Sequence, residues 1–240
     1  MKETESRKVH YKELEVIEAR ALTGTIRSVR LERPGDFEFR AGQPVMLGIP
    51  AGGRMERRTL SIASGPARPW LEFATRLTGS AFKNAFSGLQ PGDRVELRGI
   101  TGDFFLDVDR PAVLVAAGIG ITVLKSMVED TVDKRPDMPL TLVCGNHDPA
   151  AIPFREELGK IAADSPRIRL IHTVSEPDGS WEGHTGRIGI ALLEEAATGY
   201  DHPVFYAAGP PTMVEDIRRM LEESGVPANR IRSEMFGGYE

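Results

Sequence analysis

The 240 residues carry 30 Lys+Arg against 35 Asp+Glu, a formal charge of -5, with 40% hydrophobic and 27% charged residues, an ordinary globular composition long enough for two compact domains or one larger one. No apolar run approaches the roughly 18 to 20 residues that cross a bilayer, and no basic stretch is dense enough for nucleic acid, so a membrane span and a nucleic-acid partner are excluded. The single cysteine, Cys144, excludes an internal disulfide and any iron–sulfur cluster held by several cysteines of this chain. The N-terminus is charged and has no apolar core behind it, so the expected compartment is cytoplasmic.

From about residue 10 to 107, short β-type runs are expected at 14–17, 23–30, 44–49, 58–61 and 94–98. Turns punctuate them at Arg33-Pro34-Gly35-Asp36, Ala51-Gly52-Gly53 and Gln90-Pro91-Gly92-Asp93, the texture of a small antiparallel barrel or sandwich. One helix interrupts them: Ala81, Phe82, Ala85 and Phe86 recur at helical spacing behind Ser80, an N-cap residue type. After Arg110-Pro111 the texture changes. Apolar runs at 112–117, 140–144, 168–171 and 204–208 alternate with amphipathic helices at about 123–134, 151–162, 189–197 and 211–224, which implies parallel strands covered on both faces. The boundary lies near 107 to 111.

Gly118-Ile119-Gly120-Ile121-Thr122 follows an apolar strand and opens a helix, an arrangement that presents backbone N–H groups to a phosphate. Val123 stands where the usual dinucleotide fingerprint has its third glycine, and glycines after a strand also serve as plain tight turns, so this segment alone leaves both readings open. Taken singly, Arg58-Thr59-Leu60-Ser61 is a decorated edge strand, Phe236 a core residue and Glu234 an exposed acid. The five histidines show no metal-ligand spacing, so no metal is expected.

Five segments in chain order resemble the ferredoxin-NAD(P)H reductase family. Arg58-Thr59-Leu60-Ser61 is similar to its Arg-x-Tyr-Ser flavin motif, and Arg76-Leu77-Thr78-Gly79-Ser80-Ala81-Phe82 to its second flavin segment. Gly118 to Thr122 resembles its Gly-x-Gly-Ile-Thr-Pro turn, Ala208-Gly209-Pro210-Pro211-Thr212-Met213 its segment near the nicotinamide, and Ser233-Glu234-Met235-Phe236 its C-terminal acid-x-aromatic element. The resemblance implies a two-domain α+β chain. An antiparallel six-stranded β-barrel for FAD would occupy 8–108, and an α/β doubly wound parallel sheet for NAD(P) would occupy 109–240.

It also implies roles. Arg58 and Thr59 would hold FAD, with Arg58 on the pyrophosphate together with Arg76 and the helix opened by Gly79, Ser80, Ala81 and Phe82. Ser61 would sit beside flavin N5, and Phe236 would cover the flavin and move aside for the nicotinamide. Glu234 would lie near the nicotinamide or on a proton path. Gly118, Gly120, Ile121, Thr122, Gly209, Pro210, Pro211 and Met213 would bind the nicotinamide dinucleotide. Leu60 replaces a flavin-stacking tyrosine, Val123 a proline and Ala208 a cysteine. At Val174-Ser175-Glu176, the last position is arginine in members that prefer NADPH, so Glu176 favours NADH, with His147 or Arg187 as remaining phosphate contacts. The implied activity is hydride exchange between NADH (or NADPH) and FAD, then single electrons to an external redox protein: a ferredoxin, a flavodoxin or an oxygenase component. A free-flavin reductase and a non-catalytic electron-transfer subunit are the alternatives. No residue sets the acceptor, the direction of flow or the oligomeric state.

Overall fold

The computed structural model describes residues 11–237 apart from Val108, so the expected domain limits at 8, 108 and 240 fall outside the described residues. The first sheet holds β1 (Tyr11–Ala21), β2 (Ile26–Glu32), β3 (Pro44–Ala51), β4 (Arg54–Ser61), β5 (Trp70–Arg76) and β6 (Arg94–Ile100). Their order is β4-β3-β6-β1-β2-β5, all neighbours antiparallel. β1 supplies the curl. Its first half, Tyr11 to Glu15, pairs with β6, and from Val16 onward, across a bulge at Ile17, its second half pairs with β2. The extra residue bends the strand and lets one chain serve two parts of a barrel. β3 and β4 form a hairpin closed by Gly52-Gly53, both at positive φ (57° and 79°), the conformation that a two-residue turn of this kind demands. Val16, Leu47, Phe73 and Leu97 fill the barrel, and Phe82 and Phe86 of α1 (Ala81–Gly88) plug its end.

The second sheet is parallel and ordered β10-β9-β8-β7-β11-β12, with β7 (Ala112–Ala117), β8 (Leu140–Asn146), β9 (Ile168–Val174), β10 (His184–Thr185), β11 (Val204–Gly209) and β12 (Ile231–Met235). Strand alternation sorts its two faces. Leu114, Ala116 and Leu142 pack against α2 (Ile121–Lys134) and α3 (Arg155–Asp164), while Val113, Val115, Val143 and Phe205 pack against α4 (Ile190–Ala197) and α5 (Pro211–Glu223). Helices on both faces explain the continuous apolar runs. The first of these cores is shared between sheets, since Ile26, Ala41, Ala63, Ala74 and Phe104 from the barrel side join it.

Three strands lie outside the expected set: β5, β10 and β12. β5 is buried on both faces, against the barrel and against α2, and carries Glu72; β12 is interrupted by Arg232, Ser233 and Glu234. α3 starts at Arg155, not 151. Pro149 to Ala151 form a 3-10 turn capped by Asp148, and Phe154 adopts a left-handed φ of 57° before the helix begins. No helix among the described residues is long and apolar enough to cross a membrane, and no group of metal-ligating side chains occurs among them.

Candidate functional site

The strand order of the parallel sheet reverses beside β7, so a crevice opens beyond the carboxyl ends of β7, β8, β9 and β11, where open α/β sheets bind ligands. Its volume is about 710 Å³. Gly118, Asn146, Ser175, Pro210 and Met213 line it, as do Thr25 and Arg76 from the barrel. Gly118 has φ +52°, and a Cβ there would stand 3.0 Å from Arg76 Nη2. The positive φ favours glycine, while the contact would be relieved by a small shift of the flexible Arg76 side chain. Gly120 has a different reason: its Cβ would fall 2.1 Å from the Ala208 carbonyl oxygen, so glycine lets α2 start against the back of β11. Thr122 Oγ1 donates to the Ile119 carbonyl at 3.0 Å and fixes the turn.

A narrower cleft of about 150 Å³ lies between the end of β4, the end of β5 and the start of α1. Arg58, Thr59, Leu60 and Ser61 all line it. Strand alternation would send Arg58 and Leu60 away from Thr59 and Ser61, but β4 is an edge strand and the cleft wraps around its open side. Leu60 packs against the barrel core. Ser80 caps α1 by accepting from the Lys83 N–H, and Gly79 turns into it at φ +82°. Phe82 is buried in the barrel core, and the Arg58 guanidinium rests 5.9 Å above its ring.

Arg58, Arg76 and Lys83 converge around this helix start with no ion pair to any of them among the described residues. Burial lowers the Lys83 pKa from its ordinary value, and the charges of Arg58 and Arg76 lower it further. Three mutually repelling cations beside free helical N–H groups suit a diphosphate, and a planar guanidinium such as that of Arg58 can hold it by two bonds. The residues therefore fit the diphosphate of FAD. Phe236 closes the opposite side of the cleft and is tethered by its N–H to the Gly209 carbonyl at 3.0 Å. Arg76 and Ile119 line both clefts, so the two adjoin.

Other expected site residues stand back from the lining. Gly79 and Ala81 shape the start of α1, Ile121 and Val174 are buried, and Pro211 opens α5. Glu234, on β12, pairs in register with Ala208 of β11, and its carboxyl is raised by burial and by the charge of Asp103. Glu176 sits at the crevice rim, its Oε2 3.3 Å from His147 Nε2, while Arg187 lines the crevice itself. Thr25 and Ile119 were not expected. Thr25 accepts from Arg76 Nη1 at 3.1 Å, a contact created by the β2–β5 pairing and invisible without β5.

Residues 114–219 match the oxidoreductase NAD-binding domain family. The chain is 31% identical over 236 residues to ferredoxin–NADP reductase B of Sorangium cellulosum, covering 93% of this chain and 97% of that one. It is 28% identical to the phenol hydroxylase P5 protein of Acinetobacter pittii, covering 92% of this chain but 64% of that one; other curated relatives are spanned over 52% and 58% of their length. A ferredoxin NADP+ reductase from Neisseria gonorrhoeae, solved with bound FAD and NADP, shares the fold with a TM-score of 0.83 at 22% identity, covering 94% of this chain and 98% of that one. A relative this similar over nearly the whole of both chains settles the question raised by the five segments: the chain belongs to the ferredoxin-NADP reductase family.

Proposed function

We propose that this protein, an NAD(P)H-dependent flavoprotein oxidoreductase, takes reducing equivalents from NADH in the large crevice and delivers them singly to a separate redox protein. FAD, when bound, supplies the conversion between hydride and single-electron chemistry. The observation that carries the reading is the adjacency of the two clefts, which share Arg76 and Ile119 as lining residues and so set a dinucleotide in the crevice beside the flavin side.

Arg58, Arg76 and Lys83 hold the FAD diphosphate. Ser61, 5% exposed at the end of β4, offers a hydroxyl for the reactive nitrogen edge of the flavin. Phe236 keeps water from that face and yields it when the nicotinamide arrives. Glu234, its carboxyl raised by burial and by the charge of Asp103, immediately precedes the Met235-Phe236 strap and serves the proton balance of the site. Gly118, Pro210 and Met213 bound the dinucleotide, and Glu176 places a negative charge where a 2′-phosphate would project. That repulsion is worth about 1 kcal/mol at a partly exposed site, which favours NADH roughly fivefold. The names of the relatives favour a ferredoxin or an oxygenase component as acceptor.

The test is anaerobic mixing of the FAD-loaded protein with each coenzyme, following flavin absorbance. Faster bleaching by NADH is the expected result. Faster bleaching by NADPH would overturn the role given to Glu176, and no bleaching by either would leave a non-catalytic subunit as the better description. Because Leu60 offers no aromatic stacking surface, flavin release during turnover is the outcome that would favour a free-flavin reductase.

A further inference from the structure

The most buried ionic cluster among the described residues lies outside both clefts and has no place in the chemistry above. Glu72, on β5, is 0% exposed, and Lys125, on α2, is 1% exposed. Lys125 Nζ donates to Glu72 Oε2 at 2.9 Å and to Glu129 Oε1 at 2.5 Å, with Glu157 Oε2 and the Ala63 carbonyl each at 3.5 Å and the Phe154 ring 5.0 Å away. The other oxygen of Glu72 accepts from Ser28 Oγ at 2.9 Å, Arg20 Nη2 at 3.0 Å and Arg30 Nε at 3.2 Å. Arg20 also pairs with Glu157.

The placement of this cluster is more informative than its charge. Lys125 lies three residues, less than one helical turn, after Thr122, which lines the flavin cleft at the end of the nicotinamide turn. Its partner carbonyl, Ala63, lies two residues after Ser61. Around it, Ser126 Oγ donates to the Ser64 carbonyl at 2.8 Å, and the Gly65 N–H donates to Glu129 Oε2 at 2.8 Å. A Cβ on Gly65 would fall 2.8 Å from Glu129 Cβ, so the backbone there is pressed directly onto α2. One helix thus carries the nicotinamide turn at its start and, a single turn later, is bolted to the strand end that carries Ser61.

We propose that Lys125 and Glu72 are positioning residues whose contact sets the distance between the nicotinamide turn and the end of β4, and with it the rate of hydride transfer, leaving the affinity for NADH unchanged. The inference rests on the hydride-transfer reading of the two clefts. Binding and rate separate here because a fixed reacting geometry accelerates transfer, and a misplacement of about 1 Å can cost up to a hundredfold in rate without removing a ligand contact.

Two variants test it: Lys125→Met/Glu72→Gln, which removes both charges together so that neither is left buried alone, and Lys125→Arg, which keeps the charge and changes the shape and reach of the head group. Each is loaded with FAD. Anaerobic single-turnover bleaching at graded NADH then separates the limiting rate from half-saturation, and amide hydrogen exchange is followed over residues 118–126 and 62–65 without coenzyme. The expected result is a limiting rate reduced tenfold or more in the double variant, NADH half-saturation within twofold of the parent, and faster exchange at 118–122. Parental limiting rates in both variants, or a loss confined to NADH half-saturation, would overturn the proposal. Should the parent protein itself fail to bleach, the hydride-transfer reading fails, and unchanged exchange at 118–122 would independently show that the contact fixes nothing there.

Discussion

Two clusters of charge share one face of β5, and they are built on opposite principles. Glu72 and Arg76 are four residues apart on the same side of the strand, roughly 13 Å along it. Around Glu72 every charge is compensated inside the protein; around Arg76 three cations converge without an acid. A compensated cluster spends its electrostatics on holding protein to protein, whereas an uncompensated one keeps them for a ligand. The same strand thereby supplies the attachment between the two sheets and a wall of the flavin cleft.

Mutation should separate the two. Lys125→Met alone removes the cation between Glu72 and Glu129, leaving Glu72 to Arg20 and Arg30 and Glu129 to Arg68, and a loss of about 3 kcal/mol in unfolding free energy is expected by denaturant titration. Arg58→Ala should do the reverse. It removes an exposed cation, so the FAD-free protein should unfold within about 0.5 kcal/mol of the parent, while FAD affinity measured by calorimetry falls roughly a hundredfold, the worth of one or two charge-assisted hydrogen bonds. A large stability loss in Arg58→Ala would break the distinction.

Acid sharpens it. Burial pushes the Glu72 carboxyl up, but the charge and hydrogen bond of Lys125 and the charge of Arg30 outweigh it and hold the pKa at about 2, against 4.5 ordinarily. A carboxylate lowered in the folded state contributes stability that is complete above the unfolded value and lost as the pH falls toward the folded one. Between about pH 5 and 2 the parent should therefore lose on the order of 3 kcal/mol from this group, and Lys125→Met/Glu72→Gln should show a flatter acid limb in the same titration. The smallest effect belongs to the crevice rim. Glu176→Arg should shift the ratio of NADPH to NADH bleaching rates about tenfold toward NADPH, with no change in stability.

The sequence revealed the ligand-facing cluster better than the internal one, for a physical reason. Arg58, Gly79, Ser80, Gly118 and Pro210 act through local backbone form: an edge strand, a capped helix, a glycine turn. Short windows contain that information. Glu72 interrupts an apolar run and disqualifies β5 as a buried strand until its partners are known, and those lie 42 to 53 residues away at Arg20, Arg30 and Lys125. β12 was obscured in the same way, since Arg232, Ser233 and Glu234 break its pattern while parallel pairing with β11 holds it. Gly120 was legible as a glycine that matters, but its reason, contact with Ala208 across the sheet, was not.

The apolar core common to both sheets limits how the molecule can admit its coenzyme. Phe104, from the connection between the sheets, stacks edge-on against Tyr206 of β11 at 5.7 Å, and the Tyr206 hydroxyl receives the Asp107 N–H at 2.6 Å, so even the connecting segment is sewn into that core. A clamshell opening of one half away from the other would have to expose all of this apolar surface to water. The proposed role of Phe236 therefore calls for no more than a local shift of the Met235-Phe236 strap beside its tether to Gly209.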